Sequence, residues 1–203
     1  MKTQTKISQE NLTAQMAHQI LVEGNLRFVQ NVKAQRNLKD QVMATSGGQY
    51  PFAVILSCID SRVPAELVFD QGIGDIFSVR VAGNIVNEDV LGSMEYACKV
   101  AGSKIVVVMG HTKCGAVTAA CKHVKLGNIT PLLEKIQPAV KVIEAEVSEM
   151  NDENIEKVSK LNVQLSIERI RNESEVLATL ENEGSIEIVG ATYDVSTGKV
   201  EFY

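Results

Sequence analysis

The sequence has no tryptophan, and aromatic residues make up only 4% of its 203 positions. That is too little to build the stacking surfaces that hold unpaired bases. It also lacks any block of lysine and arginine, and its formal charge is −5, which disfavours a phosphate backbone as partner. No apolar run approaches the length of a membrane span; the longest, such as residues 105–109, have the length of a strand. The polar opening, residues 1–10, has no apolar centre of the kind a secretory signal needs. From these absences the expected compartment is the cytoplasm, with neither nucleic acid nor membrane as partner. Only four cysteines occur, Cys58, Cys98, Cys114 and Cys121, and they read poorly as a disulfide framework. In a reducing compartment they are better read as metal ligands, nucleophiles or buried small residues.

What is present reads as one domain with an appended arm. Residues 9–46 are expected to be helical: Leu12, Met16 and Ile20 recur at fourfold spacing, Ser8 offers a cap, and Gly24-Asn25 suggests a break. Ser46-Gly47-Gly48 reads as a loop. The expected division is an N-terminal helical arm over 1–48 and an α/β domain over 49–203. The arm is free to pack on its own domain or on a neighbouring subunit. Short branched runs at 51–56, 76–81, 105–109 and 186–189 have strand length. The first three lack alternation, as in strands buried on both faces of a parallel sheet. Helical stretches separate the runs at about 87–101, 114–125, 131–149 and 152–183. In the third, Thr130 and Pro131 suit the start, Pro138 an interruption, and Ile136, Val140, Ile143 and Val147 one face. Gly184 suits the end of the last. The tail, 191–203, reads as a hairpin through Ser196-Thr197-Gly198. The fold expected is α/β: a central, mostly parallel sheet of four parallel strands plus an antiparallel C-terminal strand, flanked by helices.

Two motifs fall just beyond strands. Ser57-Cys58-Ile59-Asp60-Ser61-Arg62 follows the first, and Gly110-His111-Thr112-Lys113-Cys114-Gly115 follows the third. In open α/β sheets such positions meet at the crevice where strand order switches. Two thiolates and an imidazole suit zinc, and a Cys₂His set leaves a fourth tetrahedral position open. A helix beginning near Cys114 would favour its thiolate. Asp60 has two choices. It can reach the same metal and close the site, or it can pair with the Arg62 guanidinium and leave the position to water. A purely structural zinc stays open on the pattern alone.

These residues resemble the β-class carbonic anhydrases, in the plant-like style of active site. The likeness runs through Cys58-Ile-Asp-Ser-Arg-Val-Pro-Ala-Glu66, Val79-Arg-Val-Ala-Gly-Asn84, Gly92-Ser-Met-Glu-Tyr96, Gly110-His-Thr-Lys-Cys-Gly115 and Gly190-Ala-Thr-Tyr-Asp-Val195, with Gly24-Asn-Leu-Arg-Phe28 in the arm. The resemblance implies one zinc ion per chain, on Cys58, His111 and Cys114, with Asp60 as a conditional fourth ligand and Asp60 and Arg62 as the catalytic dyad. It implies reversible hydration of carbon dioxide to bicarbonate and a proton, with water activated on zinc as nucleophile. It implies a homodimer, which can assemble further to a tetramer. The plant-like style rests on Gln49, nine residues before Cys58; the bicarbonate-regulated style places a tryptophan where this chain has Ile55. By the same resemblance Gln49 and the Gly115 backbone face the substrate, and Phe77, Ala82 and Tyr96 line its apolar side. Ala82 departs from the commoner valine.

Two other functions share these features: hydrolysis of carbonyl sulfide or carbon disulfide on the same site, and a non-catalytic zinc scaffold. The remaining residues read as structural. Cys98 and Cys121 are expected as buried thiols. His123 is expected on a helix surface, His18 has no evident partner, and the Glu/Lys-rich stretch at 144–160 is expected to be a solvated face.

Overall fold

A computed structural model describes residues 2–203. Three helices come first: α1 (Lys6–Glu10), α2 (Ala14–Val29) and α3 (Leu38–Thr45). The α/β part then runs β1 (Ala53–Ser57), α4 (Ala65–Val68), β2 (Ile76–Arg80), a 3₁₀ turn (Ala82–Asn84), α5 (Glu88–Glu95), a π turn (Tyr96–Val100) and β3 (Ile105–His111). It continues with α6 (Gly115–Cys121), α7 (Ile129–Glu134), α8 (Gln137–Glu146), α9 (Asp152–Glu173), α10 (Glu175–Asn182), β4 (Glu187–Tyr193) and β5 (Val200–Phe202). The sheet order is β2-β1-β3-β4-β5, parallel throughout except for the β4–β5 pair. Among the described residues no helix is long and apolar enough to cross a membrane.

β1 and β3 are buried on both faces because each alternates between two cores. Val54, Leu56, Val106 and Val108 pack against α5, α9 and α10. Ala53, Ile55, Ile105, Val107 and Met109 pack against α2 and α4. With side chains pointing to opposite faces in turn, an unbroken apolar run is what such a strand requires. β2 does not fit that expectation. It is the edge strand, with Phe77 and Val79 half-buried and Ser78 and Arg80 turned outward.

Several expected boundaries shift for local reasons. Ser8 does not cap a long helix; it is the third residue of α1, in a reciprocal capping box with Thr5, and Thr13 caps α2. The buried face of α2 is Ala17, Leu21, Gly24 and Asn25, leaving Met16 exposed. Gly24 does not break the helix. A side chain there would place its Cβ 1.9 Å from the Phe69 carbonyl oxygen, so glycine permits the approach of α2 to the α4 turn. Asn25 is a junction rather than a break, donating to the carbonyls of Val68 and Gly198 and accepting from the Val200 N–H. The expected 131–149 helix starts at Ile129 and divides before Pro138, which sits in the first turn of α8. Thr130 does not cap it in the ordinary sense; its hydroxyl accepts from the Leu126 N–H. The 152–183 stretch divides at Ser174, whose side chain caps α10. Gly184, at φ +71°, follows its end.

A buried carboxylate helps to hold the N-terminal segment. Asp70, 3% exposed at its side chain, accepts from Arg27 Nε at 2.6 Å, from Arg36 at 2.6 Å and from the Ala34 N–H at 3.1 Å. Burial opposes its ionisation, but these three donors outweigh burial and hold its carboxyl below the ordinary range. A carboxyl depressed in the folded state stabilises above its unfolded value, about 3.9, and loses that contribution as pH falls through the folded value. Asp70→Asn is therefore expected to cost about 3 kcal/mol at pH 7, by leaving buried guanidinium charge unpaired. The gap from wild type should narrow below about pH 4. Denaturant unfolding at pH 7 and pH 3.5 reads both, and an equal gap at the two pH values would contradict the role given to the carboxylate.

Candidate metal centre

The chain leaves β1 for β2 on one side and returns to β3 on the other, so strand order switches between β1 and β3. Ser57, the last residue of β1, lies opposite Met109, so β3 runs two residues further and carries His111 alongside the loop that follows β1. Cys58 follows β1 directly, His111 is the last residue of β3, and Cys114 stands at the N-cap of α6. Their ligand atoms lie within 4.8 Å of one another, and all three side chains are buried.

The donor set fits a tetrahedral ion. The sulfurs are 4.0 Å apart, and both thiols are free. Two Zn–S bonds of about 2.3 Å at a tetrahedral angle place sulfurs about 3.8 Å apart. His111 Nδ1 lies 2.9 Å from the Thr112 carbonyl oxygen, which can only accept. Nδ1 therefore carries the proton, and the lone pair is on Nε2. Among the described residues, the buried Nε2 has no hydrogen-bond partner. Such a group costs free energy unless something fills its lone pair.

Charge makes the same demand. The hydrogen bond from Cys114 outweighs burial and, with the N–H groups of Gly83 and Asp60, pushes the Cys58 thiol down to about 4. Cys114 is pushed up, because it gives its hydrogen to Cys58 and is itself desolvated. Left alone, the pair keeps one proton; a divalent cation between the sulfurs removes the repulsion and lets both ionise.

Asp60 is turned to Arg62. Arg62 Nε donates to Oδ1 at 2.9 Å and a terminal nitrogen to Oδ2 at 2.7 Å, while the Arg62 backbone N–H donates to Oδ1 at 2.9 Å. These bonds, the Arg62 side chain first, hold the Asp60 carboxyl well below the usual carboxylate range. Its Oδ2 is still only 3.9 Å from His111 Nε2. Arg62 also donates to the Lys113 carbonyl at 3.2 Å, tying the two loops together.

The structure separates the expected substrate-facing residues into two groups. Ala82 lies beside the cluster, since the next residue, Gly83, donates its N–H to Cys58 Sγ at 3.3 Å. Gly115 opens α6 directly after Cys114, with open space where a Cβ would be. Gln49, Phe77 and Tyr96 are not brought to the cluster within one chain. Phe77 pairs with Val54 near the amino end of β1, three residues before Arg80, or about 10 Å along the strand. Gln49 and Tyr96 border a pocket with Gln9 and Lys104, at the amino ends of β1 and β3.

Residues with no role in the sequence reading surround the ligands. Arg80 donates to the carbonyls of Cys58 at 3.0 Å and Asp60 at 2.6 Å. Glu156, Ser159 and Asn162 face the ligand loops from α9, so the 144–160 stretch is not wholly a solvated face. The signal was a buried stripe of Ile155, Val158 and Val163 interrupted by Ser159 and Asn162. Elsewhere, His18 does have partners, Glu187 at 3.2 Å and the Phe202 ring at 4.6 Å. His123 is exposed and pairs with Glu144. Cys98 and Cys121 are buried, and desolvation pushes them up to about 12 and about 11.

An open α/β sheet carrying a Cys₂His cluster at its switch point has the donor set and placement that fit a zinc-type metal site. The sequence profile of the carbonic anhydrase family matches residues 53–200. Carbonic anhydrase 2 of Mycobacterium tuberculosis is 37% identical over 189 residues, covering 90% of this chain and 89% of that protein. The carbonic anhydrase of Mycolicibacterium smegmatis is 35% identical over 193 residues, covering 91% of each. The β-carbonic anhydrase CafA of Aspergillus fumigatus superposes with a TM-score of 0.75 at 28% identity, covering 81% of each chain. The chain belongs to the carbonic anhydrase family, in its β class.

If Cys114 is a ligand, Cys114→Ser should fail to keep zinc through dialysis. Metal analysis is expected to give well under one zinc per chain, and full retention would remove Cys114 from the ligand set.

Proposed function

We propose that this chain catalyses the reversible hydration of carbon dioxide to bicarbonate and a proton, using one zinc ion held by Cys58, His111 and Cys114. The observation that carries the reading is the Asp60–Arg62 pair. Asp60 is close enough to complete the coordination shell, yet Arg62 holds both its oxygens. A structural zinc site has no use for a fourth position kept open in this way.

Zinc bound there would act as a Lewis acid, lowering the pKa of a water it holds from 15.7 toward about 7. The protein's own groups do the rest. Asp60 stays ionised beside Arg62 and accepts a hydrogen bond at the open position, which orients the attacking lone pair. The Gly115 N–H, in the first turn of α6, has no partner within the helix and is free to donate to negative charge developing on the substrate oxygens. Ala82 leaves room beside Cys58 for a small uncharged molecule.

The second part of the proposal is a homodimer that completes the pocket. Tyr96, 52% exposed, lies against Phe77 on the edge strand of the sheet, and Val100, four residues on, is 69% exposed. Gln49 shares a pocket with Tyr96 and Val100. One patch thus carries the three substrate-facing residues that the chain does not bring to its own cluster. A second copy would offer them to it.

Hydration assays on zinc-replete protein at pH 8 test the activity, with carbonyl sulfide run in parallel; turnover of the sulfur substrate alone would reassign the function. Asp60→Asn is expected to keep one zinc per chain while losing about 100-fold in turnover. Unaltered turnover would refute the role of Asp60. Sedimentation should give at least twice the 22.1 kDa chain mass, and a fully active monomer would contradict the shared pocket.

A further inference from the structure

Helix α9 meets the backbone around the three ligands through a stripe of polar residues. Glu156, Ser159 and Asn162 recur every third residue, so they stand on one side of the helix. Glu156 Oε1 accepts the Lys113 N–H at 2.7 Å, between His111 and Cys114, where Lys113 takes the left-handed conformation at φ +55°. Ser159 Oγ donates to the His111 carbonyl at 3.4 Å. Asn162 Nδ2 donates to the Gly83 carbonyl at 3.0 Å, in a fully buried contact 79 residues apart in sequence.

The Asn162 contact has the most direct chemical consequence. Gly83 is left-handed, at φ +68°, and a Cβ on it would come within 2.6 Å of Ile136 Cδ1. The following residue, Asn84, is also left-handed, at φ +42°. The Gly83 N–H, on the peptide that enters this pair of left-handed residues, donates to Cys58 Sγ, 3.3 Å away. Asn84 is not glycine, so the turn needs to be held. Asn162, only 4% exposed, supplies that hold from a rigid helix of 22 residues.

We infer that Asn162 is a positioning residue for the metal centre: by holding the Gly83 turn, it keeps a backbone hydrogen bond on the Cys58 sulfur and so sets the donor strength of that ligand. This rests on the zinc reading above. A hydrogen bond to a metal thiolate draws density from sulfur and lowers its lone-pair energy, which leaves more positive character on the metal for activating water. With two sulfur donors already reducing that character, an N–H on one of them acts in the direction catalysis needs.

The test uses the intact protein with cobalt(II), and separately cadmium-113, in place of zinc. In wild type the Gly83 amide proton is expected to show a through-bond correlation to cadmium across the N–H···S bond. Its absence, with the metal bound, would overturn the inference without any variant being made. Asn162→Leu, of similar size but without a donor, is expected to keep cooperative unfolding and to shift the sulfur-to-cobalt charge-transfer band to longer wavelength. Asn162→Ser, too short to reach Gly83, should shift it likewise, whereas Ser166→Ala, one turn further along α9, should not. A band unmoved in the folded Asn162 variants would refute the positioning role while leaving the metal site intact. A wild-type protein that shows no sulfur-to-cobalt band would instead remove the zinc reading, and this inference with it.

Discussion

Two sulfurs 4.0 Å apart in a buried pocket, with an unpartnered imidazole nitrogen beside them, make a charge problem that protein groups alone do not solve. One sulfur can ionise by taking the other's hydrogen bond. The second cannot follow it without a cation. The site tolerates this because everything around it is fixed in place. β1 and β3 are packed on both faces, Arg62 ties the two loops together, Arg80 ties the first of them to β2, and α9 contacts the second. A flexible site would let the sulfurs separate and relieve the strain.

Asp60 is the second half of the same electrostatic arrangement. A carboxylate this near the cluster would be a ready ligand for a bound cation, and a competing charge is what would keep it out. Arg62 provides that charge in bidentate form and from the backbone as well, so the geometry of the pair is set as well as its energy. The proposed catalysis depends on that competition. Of the residues around the cluster, Asp60 and Arg62 are the ones a merely structural metal would not require.

Much of this was legible in the chain because the ligand motifs are short and lie next to strands. Once β1 and β3 are read from unbroken apolar runs, Cys58 and His111 fall at strand ends, and the switch-point rule brings them together. The sheet, its parallel character and the C-terminal hairpin follow from the same runs. The errors have specific causes. Gly24 looked like a break because its close approach to the Phe69 carbonyl is a tertiary fact with no local sign. β2 looked buried because composition does not distinguish an edge strand from a central one. The roles of Ser159 and Asn162 lie in contacts 48 and 79 residues away, which no local spacing encodes. Gln49, Phe77 and Tyr96 were expected at the pocket through resemblance alone; the single chain holds them at the other end of the sheet, which is why a second copy enters the proposal.

The proposed centre is a metal with two sulfurs, one nitrogen and one exchangeable position that Arg62 keeps free of Asp60. Zinc-edge X-ray absorption on the as-purified protein near neutral pH, with and without a small anion that competes for the open position, measures this directly. The expected spectrum has two sulfurs, one nitrogen and one light-atom ligand whose contribution changes when the anion is added. A shell of any other sulfur count, or a fourth ligand that the anion never displaces, would contradict it.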